Sequence, residues 1–111
     1  NMRAKRTDAN HVEIKRAFEK LGCAVVDLSN VGGGVPDLLV AKSGNMVLVE
    51  VKTPSGKTNK AQKAFWLGWK GMIRLVRNTD DVREVAECLC NVLPGLKLKE
   101  KADPKKTLIT T

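Results

Sequence analysis

The feature that most constrains this chain is a stretch of period-2 alternation over residues 35–52, interrupted once by a tight turn. It reads Val35-Pro36-Asp37-Leu38-Leu39-Val40-Ala41, then Ser43-Gly44-Asn45, then Met46-Val47-Leu48-Val49-Glu50-Val51-Lys52. Alternation of this kind belongs to a β-hairpin, with Val47, Val49 and Val51 on one face and Met46, Leu48, Glu50 and Lys52 on the other. A two-residue loop brings Asp37 to the face of Glu50 and Lys52. With Ser43-Gly44 as the loop, Asp37 lies across from Glu50; with Gly44-Asn45 it lies across from Lys52. Opposed carboxylates repel and weaken a strand pair. A divalent cation between them removes that cost, and hard oxygen ligands suit Mg²⁺ or Mn²⁺.

Around the hairpin the elements run helix, three strands, helix, strand, helix. Asp8 is the expected N-cap of a first helix that continues through Leu21 and stops at Gly22. Ile14, Ala17, Phe18 and Leu21 form its apolar stripe, with Glu13 at the edge. Cys23 to Leu28 reads as a strand, and Asn30 to Gly34 as a glycine-rich turn. Thr58 or Asn59 caps a second helix that ends before Gly71, and Met72 to Arg77 forms a short strand. Thr79, Asp80 and Asp81 open a third helix through about Leu93, closed by Pro94-Gly95. The fold class is therefore α/β: an αβββαβ core with a mixed sheet flanked by helices, plus a C-terminal helix and a basic tail. The second helix carries a right-handed crossover that lets the fourth strand join parallel. One domain, residues 8–93, is expected between a basic segment, 1–7, in which Asn1 reads as a tag remnant, and a Lys-rich segment, 94–111, with little to bury.

The net charge of +8 over 111 residues calls for a polyanionic partner. Basic residues gather near Arg3, Lys5 and Arg6, again from Lys52 to Lys63, and between Lys97 and Lys106. Such clusters attract nucleic acid by counterion release. No apolar run approaches the roughly 20 residues of a membrane span, and no signal-peptide pattern is present. Cys23, Cys88 and Cys90 are odd in number and lack C-x-x-C spacing, so they read as small core residues in a reducing, cytoplasmic compartment. His11 stands alone, which excludes a His-based metal site or triad.

Pro36-Asp37, twelve intervening residues, then Glu50-Val51-Lys52 resembles the signature of the PD-(D/E)XK nuclease superfamily. The run Gly34-Val35-Pro36-Asp37-Leu38-Leu39, the later Gln62 and the small size of the chain resemble its VRR-NUC branch, the virus-type replication-repair nucleases, in a standalone phage-like form. The resemblance spans about Asp8 to Leu93, and the superfamily's restriction-endonuclease-like core has the same αβββαβ order. It implies a Mg²⁺- or Mn²⁺-dependent, structure-selective DNA endonuclease that hydrolyses phosphodiester bonds and is similar to Holliday-junction resolvases. It further implies that Asp37, Glu50 and the backbone carbonyl of Val51 hold the metal, with Glu13 as the acidic residue of the first helix and a further catalytic and metal candidate. Lys52 would orient the attacking water or stabilise charge on the phosphate. Gln62 is similar in placement to the glutamine of VRR-NUC proteins and archaeal junction resolvases, and would reach toward the phosphate. Lys57, Lys60 and Lys63 would grip neighbouring phosphates. If the source is viral, the expected location is the host cytoplasm.

The second helix shows two apolar sides, Ala61, Phe65 and Gly68 on one stripe and Gln62, Trp66 and Trp69 on the next. A homodimer interface, base stacking at a branch point, or burial of both tryptophans within the monomer would each account for them. A two-fold dimer could cut two strands symmetrically, so the expected partners are branched DNA and a second copy of the chain. Two alternatives stand beside this reading. One is a sequence-specific or flap endonuclease of the same fold, disfavoured as to sequence specificity because little of the chain is left to read base edges. The other is a non-catalytic nucleic-acid-binding module, against which the joint presence of Asp37, Glu50 and Lys52 argues.

Overall fold

A computed structural model describes residues 2–92, with side chains described from Asn10 onward. The elements are α1 (Met2–Lys20), β1 (Ala24–Asp27), β2 (Leu38–Lys42), β3 (Asn45–Val51), α2 (Lys60–Gly68), β4 (Ile73–Val76) and α3 (Thr79–Asn91). The side chains of Arg3, Lys5 and Arg6, the Pro94-Gly95 stop and the Lys97–Lys106 tail lie outside the described residues.

The hairpin closes through Ser43-Gly44, both at positive φ (57° and 82°), a turn whose twist matches that of the flanking strands. Leu38 then lies opposite Val49, and Lys42 opposite Asn45. Asn45 is thereby left outside the turn. Its Nδ2 donates to the carbonyls of Leu89 (2.7 Å) and Val92 (2.8 Å), satisfying the C-terminal end of α3. The sheet order is β1-β2-β3-β4, antiparallel across β1–β2 and β2–β3 and parallel across β3–β4. The αβββαβ order with a mixed sheet is thus present, and α3 follows it.

The period-2 pattern decides which face is buried. Leu38, Val40, Val47, Val49 and Val76 pack against Ile14 and Phe18 of α1 and against Val82 and Leu89 of α3. Helices α1 and α3 therefore cover one face of the sheet. Glu50 points to the other face, where α2 reaches it through Gln62. No helix among the described residues is long and apolar enough to cross a membrane.

Several local expectations change. Helix α1 begins at Met2 rather than at an Asp8 cap, because Met2-Arg3-Ala4-Lys5-Arg6 is a run of strong helix formers that carries the helix through the cap signal. Leu21 is 38% exposed: the helix stops at Lys20, and Gly22, at φ 86°, turns the chain away. Among the free cysteines Cys23 is buried, but Cys88 is half-buried and Cys90 exposed, since the inward stripe of α3 falls on Val82, Val85, Ala86 and Leu89.

Candidate metal and active site

Lys52 and Leu48 donate their backbone N–H groups to Val76 and Met72 across the parallel pair. The amides of Val47, Val49 and Val51 therefore face β2. Continuing the hairpin register sets Asp37 opposite Glu50 as a non-hydrogen-bonded pair, the kind in which facing side chains come closest. One step further, Pro36 stands opposite Val51. Proline has no N–H, so this partner offers no donor to the Val51 carbonyl. The Val51 N–H donates instead to Asp37 Oδ2 at 2.8 Å. The Pro-Asp pair thus does two things: it aims a carboxylate at the end of β3 and leaves a main-chain carbonyl there without a ladder donor.

Glu50 is only 2% exposed. Its Oε2 accepts a hydrogen bond from Gln62 Nε2 at 2.8 Å and lies 3.7 Å from Lys52 Nζ. Among the described residues its buried Oε1 has no hydrogen-bond partner. Burial is the main force that pushes the Glu50 carboxyl up to about 7, and the Asp37 charge adds to it while Lys52 opposes it. A buried carboxylate oxygen without a partner is costly and calls for an ion or a proton. Two carboxylates and a main-chain carbonyl make an oxygen-only donor set, which fits Mg²⁺ or Mn²⁺ and disfavours softer metals. No group of three or more His, Cys, Asp or Glu side chains gathers among the described residues. A cation here would therefore complete its shell from the main chain and water.

The neighbours of this pair are held from several directions. The Lys52 carbonyl accepts from Asn10 Nδ2 of α1 at 3.0 Å, so both backbone polar groups of Lys52 are pinned. Gln62 forms a capping box with Asn59: its N–H donates to Asn59 Oδ1 and its Oε1 accepts from the Asn59 N–H, each at 2.9 Å. One side chain therefore both starts α2 and reaches Glu50. Gly34 fixes where α2 sits. It lies at φ 84°, and a Cβ there would stand 2.3 Å from the Ala61 carbonyl oxygen. The glycine-rich turn is pressed against the first turn of α2.

The structure brings Asp37, Glu50, Val51, Lys52 and Gln62 together. Lys57, Lys60 and Lys63 are exposed on the loop before α2 and on its first turn, flanking Gln62. Glu13 is exposed along the groove between α1 and α3, beside Arg16, Thr79 and Arg83. Among the described residues, no hydrogen bond or ion pair joins it to the carboxylate pair. At the C-terminal end of α2, Phe65 stacks on the capping residue Trp69 with ring centroids 5.4 Å apart, and Trp66 borders an apolar hollow of about 430 Å³ with Leu67 and Leu75. Trp69 remains 42% exposed and Leu67 86%, so the monomer does not bury both tryptophans.

Three residues in this region were not singled out as contributors from the sequence. They are Asn10, Arg77, and His11, which is buried with Nε2 3.3 Å from Asp27 Oδ2. Asp27 is itself oriented by the Ser29 N–H and hydroxyl, whose hydrogen bonds hold its carboxyl below the usual range. All three act across the fold, and no local spacing announces them. The family model of the archaeal Holliday junction resolvase (Hjc) matches residues 2–65, a span that includes Asp37, Glu50, Lys52 and Gln62. No curated protein and no solved structure gives a significant match.

Proposed function

The chain belongs to the archaeal Holliday junction resolvase family, and so to the PD-(D/E)XK nuclease superfamily; from that premise we propose that it is a metal-dependent endonuclease that hydrolyses phosphodiester bonds in branched DNA. The observation that carries this reading is Glu50, buried opposite Asp37 with one carboxylate oxygen engaged by Gln62 and the other without a partner among the described residues. Asp37, Glu50 and the Val51 carbonyl would hold the ion. When bound, Mg²⁺ or Mn²⁺ polarises the scissile phosphate and lowers the pKa of a water.

The remaining work falls to this chain's own groups. Gln62 fixes Glu50 Oε2 and so would leave Oε1 to take the ion. Lys52 Nζ, a cation beside Glu50, is placed to stabilise charge that develops on the phosphate. Lys57, Lys60 and Lys63 neutralise neighbouring phosphates and set the strand in register. The exposed Leu67 of α2 and Trp69 at its C-cap support a homodimer, in which two sites cut two strands. The Gly34–Leu39 run and Gln62 also support kinship with VRR-NUC proteins inside the superfamily, and the reducing-compartment cysteine usage supports action in the cytoplasm.

An immobile four-way junction and its matching linear duplex, incubated with Mg²⁺, Mn²⁺ or EDTA, test this reading. Paired, metal-dependent nicks on the junction alone, absent in Asp37→Ala, are the expected result. Equal cutting of both substrates would remove the preference for branches. Binding without cutting under every metal would remove catalysis and leave a nucleic-acid-binding module.

A further inference from the structure

The loop 53–58 joins the two residues that touch Glu50 Oε2, with Lys52 at its start and the Asn59–Gln62 capping box at its end. Thr53, Pro54, Ser55 and Lys57 are exposed, so little apolar burial holds the loop in place. A segment of this kind opens easily unless polar contacts fasten it.

One side chain fastens it. The Arg77 Nη1 donates to the carbonyl oxygens of Thr53 (2.7 Å) and Gly56 (2.6 Å), with that of Pro54 at 3.3 Å. The loop bends back on itself through a Gly56 N–H bond to the Thr53 carbonyl at 3.0 Å, and this turn aims the carbonyls at one point. Converging carbonyl dipoles form a small cation cradle, and a guanidinium, always charged and rich in donors, fills it. Arg77 is itself well placed to do so. Its N–H is held by Asp81 Oδ2 at 2.8 Å, and the preceding Val76 carbonyl accepts from the Lys52 N–H at 3.0 Å. The guanidinium therefore ties the loop to the same strand end that pins Lys52.

We propose that Arg77 is a positioning residue of the cleavage site: by filling the carbonyl cradle of loop 53–56 it keeps Lys52 and Gln62 on Glu50. The inference rests on the cleavage function proposed above. It acts through the loop and requires no contact between Arg77 and DNA. A lysine ammonium could occupy the same cradle, whereas an alanine would leave the carbonyls facing one another.

The test compares the wild-type chain with Arg77→Ala and Arg77→Lys in two measurements. The first is amide hydrogen exchange in the metal-free protein, with the amides of β2 and β3 reporting that each variant is folded. In Arg77→Ala, exchange of the Gly56 amide, which is hydrogen-bonded to the Thr53 carbonyl, should quicken by at least about tenfold while β2 and β3 stay protected. The second is single-turnover junction cleavage. There the rate constant should fall by about tenfold to a hundredfold, the scale of a misplaced catalytic group, with little change in half-saturating DNA. Arg77→Lys should stay close to wild type in both. Added guanidinium, against sodium at the same chloride concentration, should return part of the rate to Arg77→Ala and none to Asp37→Ala. Wild-type exchange of the Gly56 amide in a folded Arg77→Ala, or a wild-type cleavage rate, would overturn the proposal. So would Arg77→Lys failing as completely as Arg77→Ala. If the wild-type chain cuts no junction, the cleavage function falls, and the exchange comparison alone still upholds or overturns the hold of Arg77 on the loop.

Discussion

Glu50 is held in a state that only a proton or a cation relieves. In the folded chain burial raises its carboxyl from 4.5 to about 7. An acid whose folded pKa lies above its unfolded one favours the fold only in its protonated form. That contribution is full below the unfolded value and is lost as pH rises through the folded one. The thermal midpoint of the metal-free protein should therefore fall as pH rises from about 4.5 to about 7 and level off above it. Glu50→Gln should flatten that segment of the curve, and Mg²⁺ should restore stability on the alkaline side by binding the folded state alone. A midpoint that rises steadily through this window in both proteins would show that Glu50 does not carry the penalty. At Gln62 the two roles separate chemically. Gln62→Glu preserves the capping-box acceptor but replaces the donor to Glu50 with a like charge. Circular dichroism should show α2 retained, while junction cleavage drops by at least about a hundredfold, the scale of losing a preorganised polar group at the reacting centre.

At the scale of elements, the position of α2 depends on Gly34. Gly34→Ala must relieve a contact with the Ala61 carbonyl and also hold a side chain at φ 84°. The strained backbone alone costs about 1–3 kcal/mol, and the contact adds to it. Chemical denaturation should show at least that loss, with cleavage reduced because Gln62 moves with the helix. Much of this architecture could be read from the chain. The hairpin was legible because period-2 alternation and a two-residue turn overdetermine a strand pair. Asp37 and Glu50 followed from the same alternation once Ser43-Gly44 formed the turn. Helix α1 starts at Met2 and not at the Asp8 cap signal, since such a signal is local while helix propensity accumulates over many residues. The contacts of Asn10 with Lys52, of His11 with Asp27 and of Arg77 with loop 53–56 gave no signal at all. Each joins residues far apart in sequence whose meeting is fixed only when α1, β4 and the loop have packed.

At the scale of the molecule, the charge of +8 is a statement about DNA affinity and its salt dependence. Fluorescence anisotropy across about 50–200 mM salt should give a linear fall of log K with log salt concentration. Its slope should shrink by about 0.9 for each of Lys57, Lys60 and Lys63 replaced by alanine, if each neutralises one phosphate. An unchanged slope in all three variants would place the DNA elsewhere on the surface. Whether Asp37 and Glu50 form a cation site is measured most directly by titrating Mn²⁺ into the metal-free protein at a pH above about 7, with free ion followed by electron paramagnetic resonance. Saturable binding by the wild-type chain, lost in folded Asp37→Ala and Glu50→Gln and retained in Glu13→Gln, is the predicted result. Binding that survives the loss of either carboxylate of the pair would contradict it.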